Sequence, residues 1–186
     1  MPDYRFPKSY ADRVARLRVP CGFLLVAAFA WFSQPDAHSL AAGIPISVVG
    51  LLIRAWAAGH LAKNERLATS GPYAHLRNPL YLGTLGVAAG LVIAAREPWL
   101  APLFGAVFVL IYWPAIEQEE QHLRKLFPEF ERYAQQVPAL RPRLRGIPAE
   151  GRFRWGLYWK NQEYNAALGF AAGVAFLVWK AGLLPF

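Results

Sequence analysis

The sequence predicts an all-α, polytopic integral membrane protein with about five transmembrane helices, folded as a single domain over residues 1–186. Hydrophobic residues make up 55% of the chain and charged residues only 17%, and the apolar residues are gathered in long runs. Most basic residues fall between these runs, in clusters at residues 5–18, 63–77 and 124–160. Lys and Arg are concentrated on the cytoplasmic side of membrane proteins, so the N-terminus and the three basic clusters are predicted to be cytoplasmic.

The same distribution argues against other classes of protein. A net charge of +8 would suit nucleic-acid binding, but here the basic residues alternate with membrane-like runs. The lone Cys21 cannot form an intramolecular disulfide, and the four His residues are scattered along the chain. We therefore expect no nucleic-acid partner and no metal site.

The N-terminal segment is a basic lead at residues 1–18, in which Tyr10, Val14 and Leu17 have roughly helical spacing. We expect it to lie on the cytoplasmic membrane surface, or alternatively to grip a substrate. The apolar run at residues 19–32 could be mistaken for a signal peptide. The long basic lead favours an uncleaved first span instead.

The second and third spans are predicted at residues 39–62 and 79–95. Arg54 interrupts the second span, and an intramembrane cation is costly enough to make it a functional candidate, here named as catalytic. The alternative is that its long stem lets the guanidinium reach the interface. Three small residues of the third span are expected to pack closely, against the fourth helix: Gly83, Gly86 and Gly90.

The fourth helix is predicted at residues 98–126, which is longer than a bilayer core of about 30 Å requires. Its last two turns should therefore stand in the cytoplasm. Residues 127–160 read as a basic, proline-rich cytoplasmic strap. The fifth span is predicted at residues 164–185, with Gly169 and Gly173 in a GxxxG packing pattern.

The loop at residues 63–78 has the character of a binding loop. Gly71 and Pro72 break the preceding structure, and Pro79 suits the first turn of a new helix. The polar segment between them must satisfy its backbone groups with water or in a ligand-lined cavity. An ordinary interfacial loop with Tyr anchors is the alternative.

Acidic residues gather at the cytoplasmic end of the fourth helix, at Glu117, Glu119 and Glu120. In one interpretation they meet the loop that carries Arg77 and help to hold a charged ligand there. In the other they belong to a solvated helix end, where Glu120 pairs with Arg124 one turn later.

Two motifs in order resemble the isoprenylcysteine carboxyl methyltransferase family and its phospholipid N-methyltransferase relatives, over roughly residues 60–142. The first motif is Gly71-Pro72-Tyr73, Arg77-Asn78-Pro79, Tyr81 and Gly83; the second is Glu119-Glu120, Leu123, Phe127-Pro128, Phe130, Tyr133 and Val137-Pro138. The resemblance implies an integral membrane enzyme, here expected in a bacterial inner membrane. It would transfer a methyl group from S-adenosylmethionine, leaving S-adenosylhomocysteine, to a lipid or lipophilic acceptor in a cytoplasmic pocket.

The resemblance also implies which residues bind the cofactor. By position, these contacts fall on Glu65, Arg66, Leu67, Ala68, Tyr73, Asn78, Pro79, Leu80, Tyr81 and Glu119. Residue chemistry adds Arg77 or His75 for the carboxylate, glutamates for the cations and aromatic rings for the adenine. Two positions depart from the family: Asn78 stands where His is common, and Ala115 stands where the eukaryotic enzymes have a substrate-binding Arg, which argues against prenylcysteine as acceptor.

The need for a general base depends on the acceptor. A carboxylate or thiolate needs none, whereas an amine or hydroxyl would need one, and Glu120, Glu163 or His122 could supply it. Two other functions compete with methyl transfer. One is a non-catalytic lipid-binding or assembly protein on the same scaffold. The other is a membrane isomerase or reductase, which should carry haem-ligating His pairs within its spans, and this sequence has none.

Overall fold

The computed structural model describes residues 8–183, and within that range the secondary structure is helical with no strand. The helices in chain order are α1 Lys8–Phe32, α2 Ala37–Ala58, α3 Pro79–Ala95, α4 Leu100–Val107, α5 Trp113–Leu126, α6 Phe130–Gln136, α7 Trp155–Lys160 and α8 Tyr164–Lys180. A 3-10 turn, Gly71–Ala74, precedes α3, and a π-helical segment, Phe108–Tyr112, joins α4 to α5. The predicted all-α class is confirmed.

Two helices are long and apolar enough to cross a membrane. They are α2 and the continuous rod Leu100–Leu126, which consists of α4, the π-helical segment and α5. Two shorter apolar stretches are Pro20–Phe32 and α3. The basic lead and the first apolar run form a single helix from Lys8 onward, and residues 1–7 of the lead lie outside the described residues. The number of spans stays a prediction.

The close pair in the fold is α2 with α3. A Cβ on Gly43 would lie 2.3 Å from the carbonyl oxygen of Gly90, and a Cβ on Gly50 would lie 2.5 Å from the Val87 nitrogen. Ser47 Oγ, between these two glycines, donates to the Val87 carbonyl at 2.9 Å. The glycines of α3 therefore pack against α2, and the expectation that they pack against the fourth helix was wrong.

The reason for this pairing is that both helices carry small residues at matching intervals. Where two backbones approach this closely, neither helix can carry a large side chain at the crossing. On α2 these small residues are Gly43, Ser47 and Gly50, and on α3 they are Gly83, Gly86 and Gly90.

The GxxxG pattern of α8 does not pack as expected. Cβ atoms built on Gly169 and Gly173 meet nothing within 4 Å. The helix is anchored instead near its end, where the fully buried Leu177 contacts Leu40 and Ala94.

The ends of the helices opposite the binding loop are fastened by polar contacts. Arg96 and Asp36 form an ion pair at 2.7 Å across the α1–α2 and α3–α4 turns. Asp36 also caps α2 by accepting from the Ser39 amide at 2.7 Å. Lys180 donates to the Ala30 and Trp31 carbonyls at the end of α1, at 2.7 and 2.9 Å. A cation is favourable beside the carbonyls that end a helix, so this contact ties α8 to α1.

The π-helical segment has an identifiable cause. Pro114 has no N–H to give to the carbonyl four residues earlier, that of Leu110. The helix widens at this point, and the hydroxyl of Tyr10 on α1 donates to the Leu110 oxygen at 2.9 Å. Segments of this kind are frequent at functional sites, and this one presents Tyr112 to the cavity described next.

Candidate functional site

A cavity of about 570 Å³ lies where the loop after α2 meets the start of α3, the end of the rod and α6. This volume falls within the roughly 300–1,000 Å³ of ordinary ligand pockets. Its polar and aromatic lining residues are Arg54, Lys63, Asn64, Arg66, Tyr73, Arg77, Asn78, Tyr81, Thr84, Tyr112, Glu119, Glu120, His122, Phe130, Tyr133 and Asn161. The acidic end of the rod and the loop therefore meet around a cavity.

Arg77 joins the parts of this site. Its Nε and Nη2 donate to the two carboxylate oxygens of Glu120 at 2.9 and 3.0 Å, and its Nη1 donates to the carbonyls of Ala134 and Val137 at 2.8 and 2.9 Å. Asn78 Nδ2 adds a donor to Glu120 at 3.0 Å. The guanidinium thus spends most of its donors on protein groups, and Glu120 pairs with Arg77 of the loop and not with the residue one turn later.

The local sequence explains why Arg77 reaches this position. The 3-10 turn Gly71–Ala74 starts from Gly71, whose positive φ of 60° suits glycine. Pro79 then starts α3. Between these elements, the amides of Arg77 and Asn78 donate to the carbonyls of Pro138 and Ala139 at 2.8 and 3.1 Å. The strap therefore holds the loop along its backbone while α5 holds it through side chains.

Two buried tyrosines form the floor beneath the loop. Tyr133 donates its hydroxyl to the Tyr73 carbonyl at 2.8 Å. Burial raises the pKa of Tyr73, with a contribution from the charge of Glu119, and burial also raises the pKa of Tyr133. Both phenols therefore stay protonated at physiological pH and can act only as neutral groups.

Glu119 is the carboxylate of the site that forms no ion pair among the described residues. It is exposed, and its Oε2 accepts from the Tyr81 hydroxyl at 3.3 Å. The Tyr81 ring lies edge-on to Tyr112 at 6.3 Å, and Tyr112 stacks on Phe108 at 5.8 Å. An available negative charge therefore stands beside a wall of aromatic rings.

Arg54 and Glu163 form a second largely buried ion pair beside the cavity. Arg54 Nε and Nη2 donate to the two Glu163 oxygens at 2.5 and 3.1 Å, and Nη1 donates to Thr84 Oγ1 and to the Leu80 carbonyl. The side chains are only 23% and 9% exposed. Arg54 therefore bridges α2, α3 and the residue before α8, and its stem does not carry the guanidinium out to solvent.

The loop at the cavity mouth carries two exposed cations, Lys63 and Arg66. Their side chains form no ion pair or hydrogen bond among the described residues. Between these two cations the loop is fastened at two residues: Asn64 Oδ1 lies 3.2 Å from His122 Nε2, and Glu65 pairs with Lys160. These two contacts hold the free cations over the cavity.

The residues named from sequence are distributed as follows. Those that line the cavity are Arg54, Arg66, Leu67, Ala68, Tyr73, Arg77, Asn78, Pro79, Leu80, Tyr81, Glu119, Glu120 and His122. Glu65 is engaged by Lys160 outside the lining, and His75 Nδ1 lies 2.8 Å from the Arg143 carbonyl. Glu163 reaches the cavity only through Arg54.

Sequence reasoning missed several lining residues. Tyr112 is placed by the widened helix, and Pro114 two residues later was the available signal. Thr84 lies one turn after Leu80 on α3. Asn161 donates to the carbonyls of Ala58 and Leu61 at 3.0 and 2.9 Å. No sequence pattern marks that contact.

Among the described residues, no group of three or more His, Cys, Asp or Glu side chains is placed to hold a metal ion. The candidate chemistry of the cavity therefore rests on its charges, hydrogen-bonding groups and rings.

Comparison with known proteins identifies relatives. Residues 40–129 match the phospholipid methyltransferase family. The chain is 31% identical over 182 residues to the nickel-cobalt-cadmium resistance protein NccN of Alcaligenes xylosoxydans xylosoxydans, covering 92% of this chain and 79% of that protein. It is 33% identical over 127 residues to the cobalt-zinc-cadmium resistance protein CzcN of Cupriavidus metallidurans, covering 67% of this chain and 56% of that protein. No solved structure matches.

The matched stretch contains the α2–α3 pair, the loop with Arg77, and the rod with Glu119 and Glu120. These parts provide most of the cavity lining, and the family resemblance expected from the two motifs is confirmed. The chain belongs to the phospholipid methyltransferase family.

Proposed function

We propose that the protein is an S-adenosylmethionine-dependent methyltransferase that acts on a lipid or lipophilic acceptor at the cytoplasmic membrane face. The observation that carries this proposal is the cavity between the loop and α5. There Glu119, which forms no ion pair among the described residues, offers its carboxylate beside aromatic rings. Membership of a methyltransferase family and the two long apolar helices support it. When bound, the cofactor would supply an electrophilic methyl group.

The donor set of the cavity fits this cofactor. Its sulfonium and ammonium are cations, which Glu119 can attract, and its adenine can lie against the rings of Tyr73, Tyr112 or Phe130. Its carboxylate needs a cationic partner. Lys63 and Arg66 suit that role better than Arg77, whose donors are already spent on Glu120 and two carbonyls.

In the proposed reaction the protein aligns donor and acceptor and excludes water. Glu120 and Glu163 each have both oxygens held by a guanidinium, so we propose positioning roles for them and for Arg54. Glu120 fixes the loop against α5. The pair of Arg54 and Glu163 fixes α3 and the start of α8 beside the cavity.

The proposed topology has five spans: α1, α2, α3, the rod and α8. The chain then alternates direction, so the loop after α2, the strap and α7 all lie on one side. The Arg96–Asp36 pair and the Lys180 contact lie on the other side. With the basic clusters on the cytoplasmic side, the cavity opens to the cytoplasm.

The test is equilibrium binding of S-adenosylmethionine and S-adenosylhomocysteine to the purified protein in detergent, followed by incubation of lipid extracts with a labelled methyl donor. Glu119→Gln should weaken binding of S-adenosylmethionine at least about tenfold, because it removes a charge-assisted contact. Glu129→Gln, an acid-to-amide change at an exposed site outside the cavity, is the control. The absence of saturable binding by the wild-type protein would favour the non-catalytic lipid-binding or assembly protein.

A further inference from the structure

The extended part of the strap, residues 137–154 (hereafter the strap), is fastened beside the ends of two helices. Near its start, the Pro138 carbonyl accepts from the Arg77 amide, just before α3. At its end, the Arg154 amide donates to the Gly59 carbonyl at 2.9 Å, one residue beyond α2. Since α2 and α3 are adjacent membrane-type helices, the strap lies along the plane in which they leave the apolar layer.

The exposed tryptophans of α7 independently indicate that the strap lies at the edge of the apolar layer. The strap continues directly into α7, whose Trp155 and Trp159 are 67% and 59% exposed. Exposed tryptophans beside apolar helices are typical of the headgroup region, where the ring is apolar and its N–H is hydrated.

The middle of the strap carries an unusual surface. Leu144 is fully exposed, with a relative accessibility of 101%. The backbone on either side is fixed, because the Arg143 amide donates to the His75 carbonyl at 3.0 Å and the Ile147 amide donates to the Ala74 carbonyl at 3.1 Å. Leu144 is therefore a large apolar side chain presented outward on a segment whose backbone is held in place.

The strap is strongly positive. It contains five arginines and one acid, Glu150, and none of the five forms an ion pair among the described residues. Arg141 and Arg145 flank Leu144 and are exposed. Basic residues near a bilayer surface are attracted by anionic headgroups, and an apolar side chain between them can enter the interface.

From these observations we propose that the strap segment 141–145 docks on the anionic lipid surface around the protein, with Leu144 inserted at the interface and Arg141 and Arg145 on lipid phosphates. This inference rests on the membrane placement proposed above, but not on methyl transfer. It assigns the strap a lipid-binding role in addition to its backbone contacts with the loop.

The test places an environment-sensitive dye at the tip of the strap. The Leu144→Cys variant, in a Cys21→Ser background, is labelled and reconstituted into phosphatidylcholine vesicles with or without phosphatidylglycerol. Emission and quenching by the neutral quencher acrylamide are then compared. The expected result is a blue shift and protection from acrylamide only where phosphatidylglycerol is present.

The arginines are tested in the same labelled protein. Each Arg→Gln change at 141 or 145 should shift the equilibrium between docked and free strap about fivefold toward the free form. Arg132→Gln, which removes an exposed charge on α6 outside the strap, should change nothing. Protection that survives the double change at 141 and 145 would overturn the proposal.

The remaining outcomes distinguish a lipid headgroup from a free anion as the ligand. They also separate failure of lipid docking from failure of the proposed membrane placement. If inorganic phosphate at constant ionic strength abolishes the protection, the segment is a site for a free anion, and docking on lipid is refuted. Equal quenching in both kinds of vesicle, with the protein floating with the vesicles, refutes lipid docking alone. Failure to float with either kind refutes the membrane placement as well.

Discussion

Gly83 and Arg54 share one space, since a Cβ on Gly83 would lie 2.5 Å from the Cγ of Arg54. The missing side chain on α3 is what lets the stem of Arg54 cross the helix surface and reach Glu163 and Thr84. Gly83 follows the same stripe of small residues that brings α2 and α3 together. The tight pairing of two helices is thus continuous with the ion pair at the edge of the cavity.

Gly83→Ala should therefore destabilise the protein by about 1–3 kcal/mol, the usual cost of overpacking, because the methyl group displaces Arg54 or separates α2 from α3. The free energy of unfolding in detergent measures this. Gly105→Ala is the matched control, since a Cβ there meets nothing within 4 Å, and it should be neutral or slightly stabilising. Equal stability of the Gly83→Ala variant and the wild type would contradict the assigned contact.

The pair of Arg54 and Glu163 gives a second prediction. Arg54→Met should cost about 3–5 kcal/mol, because it leaves the mostly buried Glu163 carboxylate without its partner. Adding Glu163→Leu should restore much of that loss, since replacing a buried ion pair by apolar residues is often nearly neutral. A double-mutant cycle on unfolding free energies measures the coupling. Additive losses would show that the two side chains do not interact.

The sequence predicts this region only in part, for a physical reason. An intramembrane arginine signals that a partner exists, but it does not identify that partner. Glu163 is 109 residues away, and the sequence marks it only as a possible general base. The glycines of α3 likewise indicate close packing, but they do not identify the partner helix. That partner is α2, because Gly43 and Gly50 leave room for the backbone of α3.

Features that depend on neighbouring residues were predicted better than contacts between residues far apart in the sequence. Pro79 marked the start of α3 correctly, and the motif pair brought the loop and the acidic end of the rod into one site. Tyr112 was missed because regular helical spacing does not hold across a π-helical segment. His75 was offered as a ligand for a carboxylate because sequence shows the donor but not the strap carbonyl beside it.

Arg77→Lys should lower the stability of the fold by about 2–4 kcal/mol, because an ammonium cannot reproduce the paired contact with Glu120 together with two carbonyl contacts. Thermal unfolding and limited proteolysis of the strap both report the change. Arg132→Lys is the control, because Arg132 is exposed on α6 and outside the cavity. Wild-type stability together with weakened binding of S-adenosylmethionine would instead assign Arg77 to the ligand.

His60 predicts a pH dependence of stability. It is 5% exposed, its Nδ1 lies 3.0 Å from Ser70 Oγ, and burial, followed by the charge of Arg66, lowers its pKa. In the unfolded chain its pKa returns to about 6.5. As pH falls below that value, the unfolded state binds the proton first, so stability decreases until the folded-state pKa is reached. The unfolding midpoint of the wild-type protein should therefore decrease as pH is lowered below about 6.5. This decrease should be smaller in the His60→Gln variant. It should persist in His38→Gln, because His38 is exposed. An unchanged slope in His60→Gln would mean that another group carries the dependence.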